Sequence, residues 1–365
     1  MVSGEQYKSR ACMQINVAYP KDLDDVDATW LSAALSGTFP GIQVASARRT
    51  TVINGMATKA RFELSYDSEG NRGSGPASLW VKAGFEAHSG SQPGAFANEV
   101  NFFRDIAPRL PISCPRSYFQ TLSPDKRNGL ILLEDLTSRK VRFGDVATGV
   151  DVDTAAAVLD LQAKYHAHYW NKAELEAIPW LSTGGSIVDD GVVDIFLGFW
   201  DDTEGLPRFQ FVTENLRDRS RIRRALQSMW ELAAKSANCL VHGDTHASNL
   251  YFDLSGAPGY LDWQQIMRGA WGHDVANFLV TGLAVEDRRR QERELIAHYI
   301  DRLAAYGAAA PSFDDAWLTY RRHAAWTFLW TLCPPSFHPE QTCVAVSKRV
   351  CAALNDLESM ESLGH

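Results

Sequence analysis

The sequence predicts an α+β fold in two lobes, β-rich up to about residue 136 and helical beyond it. Three observations lead there. Alternating apolar and polar residues at the period of a strand dominate the first third of the chain. From about residue 152 the apolar spacing changes to that of helices. A short strand–loop–strand region, about 239–263, interrupts the helical part and holds the sharpest motifs.

In chain order, residues 22–36 predict an opening helix, with acidic residues in its first turn where the helix dipole favours them. Residues 42–51 alternate, and 60–66 alternate more clearly, placing Phe62 and Leu64 on one face. Residues 67–78, rich in Gly, Ser and Asp, predict a polar loop to the next strand, 79–83. After a second Gly/Ser-rich loop, 95–106 reads as a helix. Its apolar face is Phe102, Phe103 and Ile106, with Glu99 nearby. Strands are expected near 117–121 and at the fully apolar 130–133. Helical patterns then cover roughly 153–170, 221–237, 286–306, 312–332 and 340–357. No internal repeat or long low-complexity tract appears.

Of the 365 residues, 45% are hydrophobic and 22% charged, enough for a real core but too long a chain for one small one. The net charge of −8 makes a nucleic-acid partner a poor expectation, because phosphate binding needs cations. The first twenty residues hold no apolar stretch of signal-peptide type. The longest apolar run, about 276–285, is too short to span a membrane. Six scattered cysteines without a CxxC pair fit a reducing cytoplasm rather than a disulfide framework or a zinc ribbon.

The chemistry sits in CLVHGDTHASNLYF, residues 239–252. Here His242, Gly243 and Asp244 are followed, five residues after the aspartate, by Asn249. A further carboxylate, Asp262, lies in YLDWQ at 260–264. Phosphoryl transfer asks little covalent chemistry of a protein. It needs metal ions on the phosphates, a carboxylate to orient the acceptor hydroxyl, and a cation. Asp244, Asn249 and Asp262 supply the first two at the spacing of a kinase catalytic loop and metal-binding turn.

The run HGDTHASN…LDWQ resembles the catalytic core of the aminoglycoside phosphotransferase and choline-kinase-like superfamily, the small-molecule relatives of the protein kinases. HAHYW at 166–170, LLEDL at 132–136 and GHDVANFL at 272–279 resemble its ecdysteroid-kinase-like branch. The resemblance extends from about residue 40 to about residue 330. It implies a bilobal protein-kinase-like fold, with a nucleotide-binding lobe at 1–136 and a catalytic, acceptor-binding lobe at 137–365. It implies ATP and Mg²⁺, with Asp244 as catalytic base and Asn249 and Asp262 on the metal. Lys82 would contact the α/β-phosphates, held by Glu99 as an ion pair. Glu134 and Leu136 would lie at the hinge that bonds adenine, and Gly55 in the nucleotide loop at 54–58. His242 and Asp274 would brace the catalytic loop. The implied acceptor is a small-molecule alcohol, hydrophobic or an amino alcohol, with a polycationic aminoglycoside less favoured. Two features depart from the protein-kinase pattern. The nucleotide loop has one glycine instead of GxGxxG, and Trp-Gln follows Asp262 where Phe-Gly would stand. The second departure argues against a protein substrate.

Other readings exist. His242, Asp244 and His246 form HxDxH, and His166 with His168 forms HxH, a ligand set that would suit zinc or manganese in a metal-dependent hydrolase. That leaves Asn249, Asp262 and Lys82 unexplained. A catalytically silent nucleotide-binding module of the same fold is the other rival, and the intact Lys82, Asp244, Asn249 and Asp262 disfavour it. Taken alone, Lys82 would read as an edge lysine, and His166 and His168 as packing residues. Trp180, Phe196, Phe199, Trp200, Trp317, Trp326, Phe328 and Trp330 read mostly as core, with some free to line an acceptor pocket. The acceptor's identity and the oligomeric state stay open at this level.

Overall fold

The computed structural model describes residues 17–55, 57–67, 75–85, 94–184 and 191–365. It forms two compact units, one of Met1–Val100 with Pro115–Asp135, the other of Asn101–Cys114 with Leu136–His365. The stretches 68–74 and 86–93, read from the sequence as polar loops, and Met56 of the nucleotide loop lie outside the described residues.

The first unit is an antiparallel sheet of β1 (Val44–Asn54), β2 (Thr58–Tyr66), β3 (Ser78–Ala83), β4 (Ser117–Leu122) and β5 (Gly129–Glu134), in the order β1-β2-β3-β5-β4. Alternation decides its faces. Ala60, Phe62, Leu79, Val81, Ala83, Leu130 and Leu132 turn to one side, where they pack with Leu31, Ala34 and Leu35 of helix α1 (Ala28–Leu35). Each leucine fully buried there stabilises the unit by about 1.5–3 kcal/mol relative to exposure. Helix α2 (Ala95–Asn101) carries Glu99.

Helix α1 begins six residues later than the sequence pattern predicts. Asp22 accepts the amides of Asp24 and Asp25, and Asp27 caps the helix by accepting the amide of Trp30 at 2.7 Å. Short carboxylates bond local backbone well in turns, so the acidic run makes a turn and a cap instead of a first helical turn. The segment predicted as one helix over 95–106 is α-helical to Asn101 and then a π-helical turn at Phe102–Ile106, in which Phe102, Phe103 and Ile106 are all buried.

The second unit is mainly helical. Its helices are α3 (Val152–His168), the short α4 (Ala173–Glu176), α5 (Val192–Gly198) and α6 (Trp200–Thr203), then α7 (Arg219–Ala233), α8 (Gly272–Gly282), α9 (Val285–Ala305), α10 (Phe313–Ala324) and α11 (Glu340–Asp356). Every residue of α8 is buried, and α3, α10 and α11 pack around it. An all-round buried helix needs no amphipathic stripe. The helix predicted over 312–332 stops at Ala324 and tightens to a 3₁₀ segment, Ala325–Trp330, where the Thr327 hydroxyl donates back to Ala324 O at 2.7 Å. Two small sheets complete the unit. Strands β6 (Arg142–Phe143), β8 (Leu250–Phe252) and β9 (Pro258–Tyr260) form one, and β7 (Cys239–Val241) with β10 (Met267–Gly269) the other. Among the described residues no helix is long and apolar enough to cross a membrane.

Candidate active site

In the first unit, β3 alternates Leu79, Val81 and Ala83 into the core, which turns Lys82 to the opposite face. Its neighbours in register are Lys59 on β2 and Ile131 on β5. There its ammonium lies 2.6 Å from the Glu99 carboxylate, and the two side chains are only 6% and 2% exposed. Burial at this depth separates the pair from a solvated edge lysine, since a buried charge persists only when partnered. Glu134 ends β5 in the first unit, its carboxylate accepting the amide of Arg116 at 2.9 Å. Asp135, nearly fully buried, accepts from Arg61 Nε at 2.8 Å and from the Ser78 hydroxyl at 2.7 Å. Leu136 is buried and opens a 3₁₀ turn in the second unit. Gly55 lies in the exposed β1–β2 turn, and a Cβ there would come within 3.9 Å of Ala57 O and of nothing else among the described residues.

In the second unit, β7 delivers the chain into the loop 242–249. His242 is fully buried and bonds in two directions, to Leu261 O from Nε2 at 2.8 Å and from the Asp244 amide to Nδ1 at 3.2 Å. The acceptor role of Nδ1 assigns the proton to Nε2. Burial depresses its pKa, with Asp274 opposing the shift. Gly243 has φ +88, and a Cβ would fall 2.2 Å from Gln265 O, so only glycine fits between His242 and Asp244. Asn249 then reaches back. Its Nδ2 donates to Asp244 O at 2.9 Å and to Asp244 Oδ2 at 3.1 Å. With the amide nitrogen committed, Asn249 Oδ1 accepts no hydrogen bond among the described residues.

Pairing of β8 with β9 brings Asp262 to the same place, because Leu261 N donates to Asn249 O at 2.7 Å. Asp262 is left-handed, at φ 59 and ψ 62, a conformation aspartate tolerates better than most residues. Trp263 after it is fully buried and stacks on Phe102, with ring centres 4.2 Å apart and planes 9° from parallel. The departure from Phe-Gly is thus a packing solution. The Asp244 carboxyl is pushed up by burial and by the nearby Asp262, yet His246 and His242 outweigh them and hold it below the ordinary aspartate range.

Asp274, in the first turn of α8, fastens the loop. It accepts the amides of His242 at 2.8 Å and Gly243 at 2.9 Å, the Tyr165 hydroxyl at 2.5 Å and His166 Nε2 at 3.2 Å. Burial raises its pKa, but the hydrogen bond from His166 and the imidazoles of His166, His242 and His273 prevail and lower it to about 2. The second nitrogen of His166 meets the Tyr299 hydroxyl at 2.9 Å. Both ring nitrogens of His166 and of His242 are therefore used inside the protein, and neither is placed as a metal ligand. Of the HxDxH side chains, only those of Asp244 and His246 pair with each other among the described residues, Oδ2 to Nε2 at 3.4 Å. No sequence argument singled out this contact, for the two-residue spacing had pointed only to metal.

A run of rings leads away from that pair. His246 meets Trp330 edge-on at 5.2 Å, and Trp330 lies against His338 at 4.9 Å. Phe337, next in the chain and 39% exposed, is within 6.5 Å of both Phe196 and Phe199. Trp200 and Phe328 are core as expected, whereas Phe196, Phe199 and Trp330 are only partly buried.

The fold and this loop define a class. A family model described as Phosphotransferase enzyme family matches residues 86–312, more than half of the chain, and the chain belongs to that family. An uncharacterized kinase-like protein of Caenorhabditis elegans is 27% identical over 241 residues. The match covers 62% of this chain and 62% of that protein, so the chain spans less than two thirds of the relative. Among solved structures, the microcompartment-associated aminopropanol kinase superposes with a TM-score of 0.52 at 12% identity, over 87% of this chain and 94% of its own. LicA in complex with AMP gives 0.50 at 12% identity, over 91% and 98%. At these identities the likeness is one of fold. The chain has the α+β protein-kinase-like fold that its sequence predicts, with a β-sheet N-terminal region and a helical C-terminal region.

Proposed function

We propose that this protein is a small-molecule kinase of the cytoplasm, moving the γ-phosphoryl group of ATP, with Mg²⁺, onto the hydroxyl of a hydrophobic alcohol or an amino alcohol. The observation that carries this reading is the arrangement of Asp244, Asn249 and Asp262. Asn249 turns its amide nitrogen onto Asp244 Oδ2 and keeps Oδ1 for another partner. Asp262 stands beside it in a left-handed conformation of the kind found at functional sites. The donors are all hard oxygens, which fits magnesium, an ion usually held by one or two carboxylates together with phosphates. When bound, magnesium neutralises charge that develops on the phosphates.

In this reading Asp244 accepts a hydrogen bond from the acceptor hydroxyl. It takes the proton as the alcohol oxygen bonds to the γ-phosphorus and the bond from that phosphorus to the departing ADP oxygen breaks. Lys82, pre-oriented by Glu99, contacts the α/β-phosphates without reorganising. Glu134 and Leu136 would supply the hinge backbone groups that bond adenine. Gly55, for which the described neighbours give no steric reason, suits close approach of a phosphate to the backbone. His242 and Asp274 keep the loop rigid. The ring run from His246 to Phe337 supports an acceptor with an apolar body, or an ammonium held over aromatic faces.

The test is a phosphate-transfer screen. The protein is incubated with ATP and Mg²⁺ against a panel of hydrophobic alcohols, amino alcohols and aminoglycosides, and products are read by mass spectrometry. A gain of one phosphate on an alcohol, with matching ADP, is expected. Nucleotide binding without transfer to any member would favour the silent-module reading instead.

A further inference from the structure

Asp244 has two carboxylate oxygens in unlike surroundings. Asn249 Nδ2 at 3.1 Å and His246 Nε2 at 3.4 Å both converge on Oδ2. Oδ1 receives no donor among the described residues. We propose that His246 is a positioning residue for the base, sharing Oδ2 with Asn249 so that Oδ1 is the oxygen presented to the acceptor hydroxyl. The proposal rests on the reading of Asp244 as the base.

His246 is built to hold one orientation. It is 6% exposed and sits edge-on to Trp330, with the ring of His338 6.2 Å away. The stretch from Cys333 to Glu340, which carries His338, is fastened at both ends by one wholly buried side chain. Arg208 donates to Cys333 O, and its Nε donates to Glu340 Oε2 at 3.0 Å. A planar guanidinium that holds a carboxylate oxygen and a backbone carbonyl at once fixes geometry as well as charge. The ring next to Asp244 is thus packed against Trp330 and near His338, and His338 sits in a stretch that Arg208 holds in place.

A packing role alone does not account for a histidine here. Its Nδ1 is buried and has no hydrogen-bond partner among the described residues. A phenylalanine or leucine would meet Trp330 without leaving a buried nitrogen unsatisfied, an arrangement that costs stability and calls for an explanation. Among the described residues, the one polar contact the ring makes is with Asp244. The 3.4 Å separation is long for a hydrogen bond, as is common before substrate binds, and shortening by a few tenths of an ångström would complete it.

Three variants of the full chain separate the roles. His246→Phe keeps the ring packing and removes the N–H, His246→Gln keeps an N–H donor, and His246→Ala removes both. With ATP, Mg²⁺ and the alcohol found by the acceptor screen, His246→Phe and His246→Ala are expected to lose roughly 10–100-fold in kcat, the scale of a slightly misplaced reacting group. The KM for ATP should stay within about twofold, and His246→Gln should recover most of the rate. Crystal structures of the wild-type protein and His246→Phe give a readout independent of turnover. The Asp244 carboxylate should leave its wild-type rotamer in the variant. An unmoved carboxylate, or wild-type kcat in His246→Phe, overturns the proposal while leaving the kinase reading intact. If the wild-type protein phosphorylates nothing, the kinase reading fails, and the Asp244 rotamer still decides whether His246 positions it.

Discussion

The Lys82 ammonium and the Glu99 carboxylate meet at 2.6 Å although they come from a strand and a helix, and both side chains are almost completely buried. Removing one partner takes this buried ion pair from the other. Lys82→Met is expected to cost roughly 3–5 kcal/mol in urea denaturation, the usual penalty for breaking a buried pair. Adding Glu99→Leu should restore much of that loss, because an apolar replacement of both partners is often near neutral. Nucleotide use should not return, and KM for ATP should stay raised in the double variant. A double variant with normal ATP kinetics would remove Lys82 from the phosphate role.

Asp244→Asn should lower kcat by several orders of magnitude while calorimetry still detects ATP binding. The amide keeps the shape of the carboxylate but cannot take the acceptor's proton. Turnover within tenfold of wild type would take Asp244 out of the role of base.

Asp262→Ala should abolish the strengthening of ADP and ATP binding by Mg²⁺. The comparison is of Kd with magnesium and with chelator, for wild type and variant. The left-handed backbone at residue 262 makes a glycine variant a useful control, since Asp262→Gly removes the carboxylate without strain. Both variants should behave alike toward magnesium. If magnesium still tightens nucleotide binding in both, the metal is held elsewhere.

The strands were legible because a two-residue period assigns faces directly, and Phe62, Leu79 and Val81 lie on the core side that the pattern demands. The depth of Lys82 was not legible, since no local pattern distinguishes a buried lysine from one at a sheet edge. The run from Asp22 to Asp27 misled for a related reason. Acidic residues suit a helix start and a turn alike, and only the bonds from Asp22 to the next amides choose between them. In the loop, HGD-x4-N was visible as a motif. Its fastening by Asp274 joins residues 31 and 109 positions apart in sequence, Gly243 and Tyr165, and no local periodicity encodes that. His246 was visible only as half of a metal pattern, because its role depends on which oxygen of Asp244 it faces.

His323 carries the last prediction, which concerns pH. It is 3% exposed, packed near Trp230 and His273, and burial, with smaller contributions from His273 and Arg322, pushes its pKa from 6.5 down to about 3. In the unfolded chain the same imidazole titrates near 6.5. Between these values the unfolded state binds the extra proton, so stability rises with pH across the window and is lost as pH falls from about 6.5 toward about 3. One such group contributes a slope of roughly 1.4 kcal/mol per pH unit inside the window. His242 and His273, also lowered by burial, add slopes of the same sign. Urea unfolding of wild type and His323→Gln at pH 7, 6, 5 and 4 should therefore diverge. The glutamine variant, whatever its offset at pH 7, should lose about 1.4 kcal/mol less per pH unit below pH 6. Parallel pH dependences in the two proteins would show that His323 is protonated in the folded state at ordinary acidity, and that its burial does not govern acid stability.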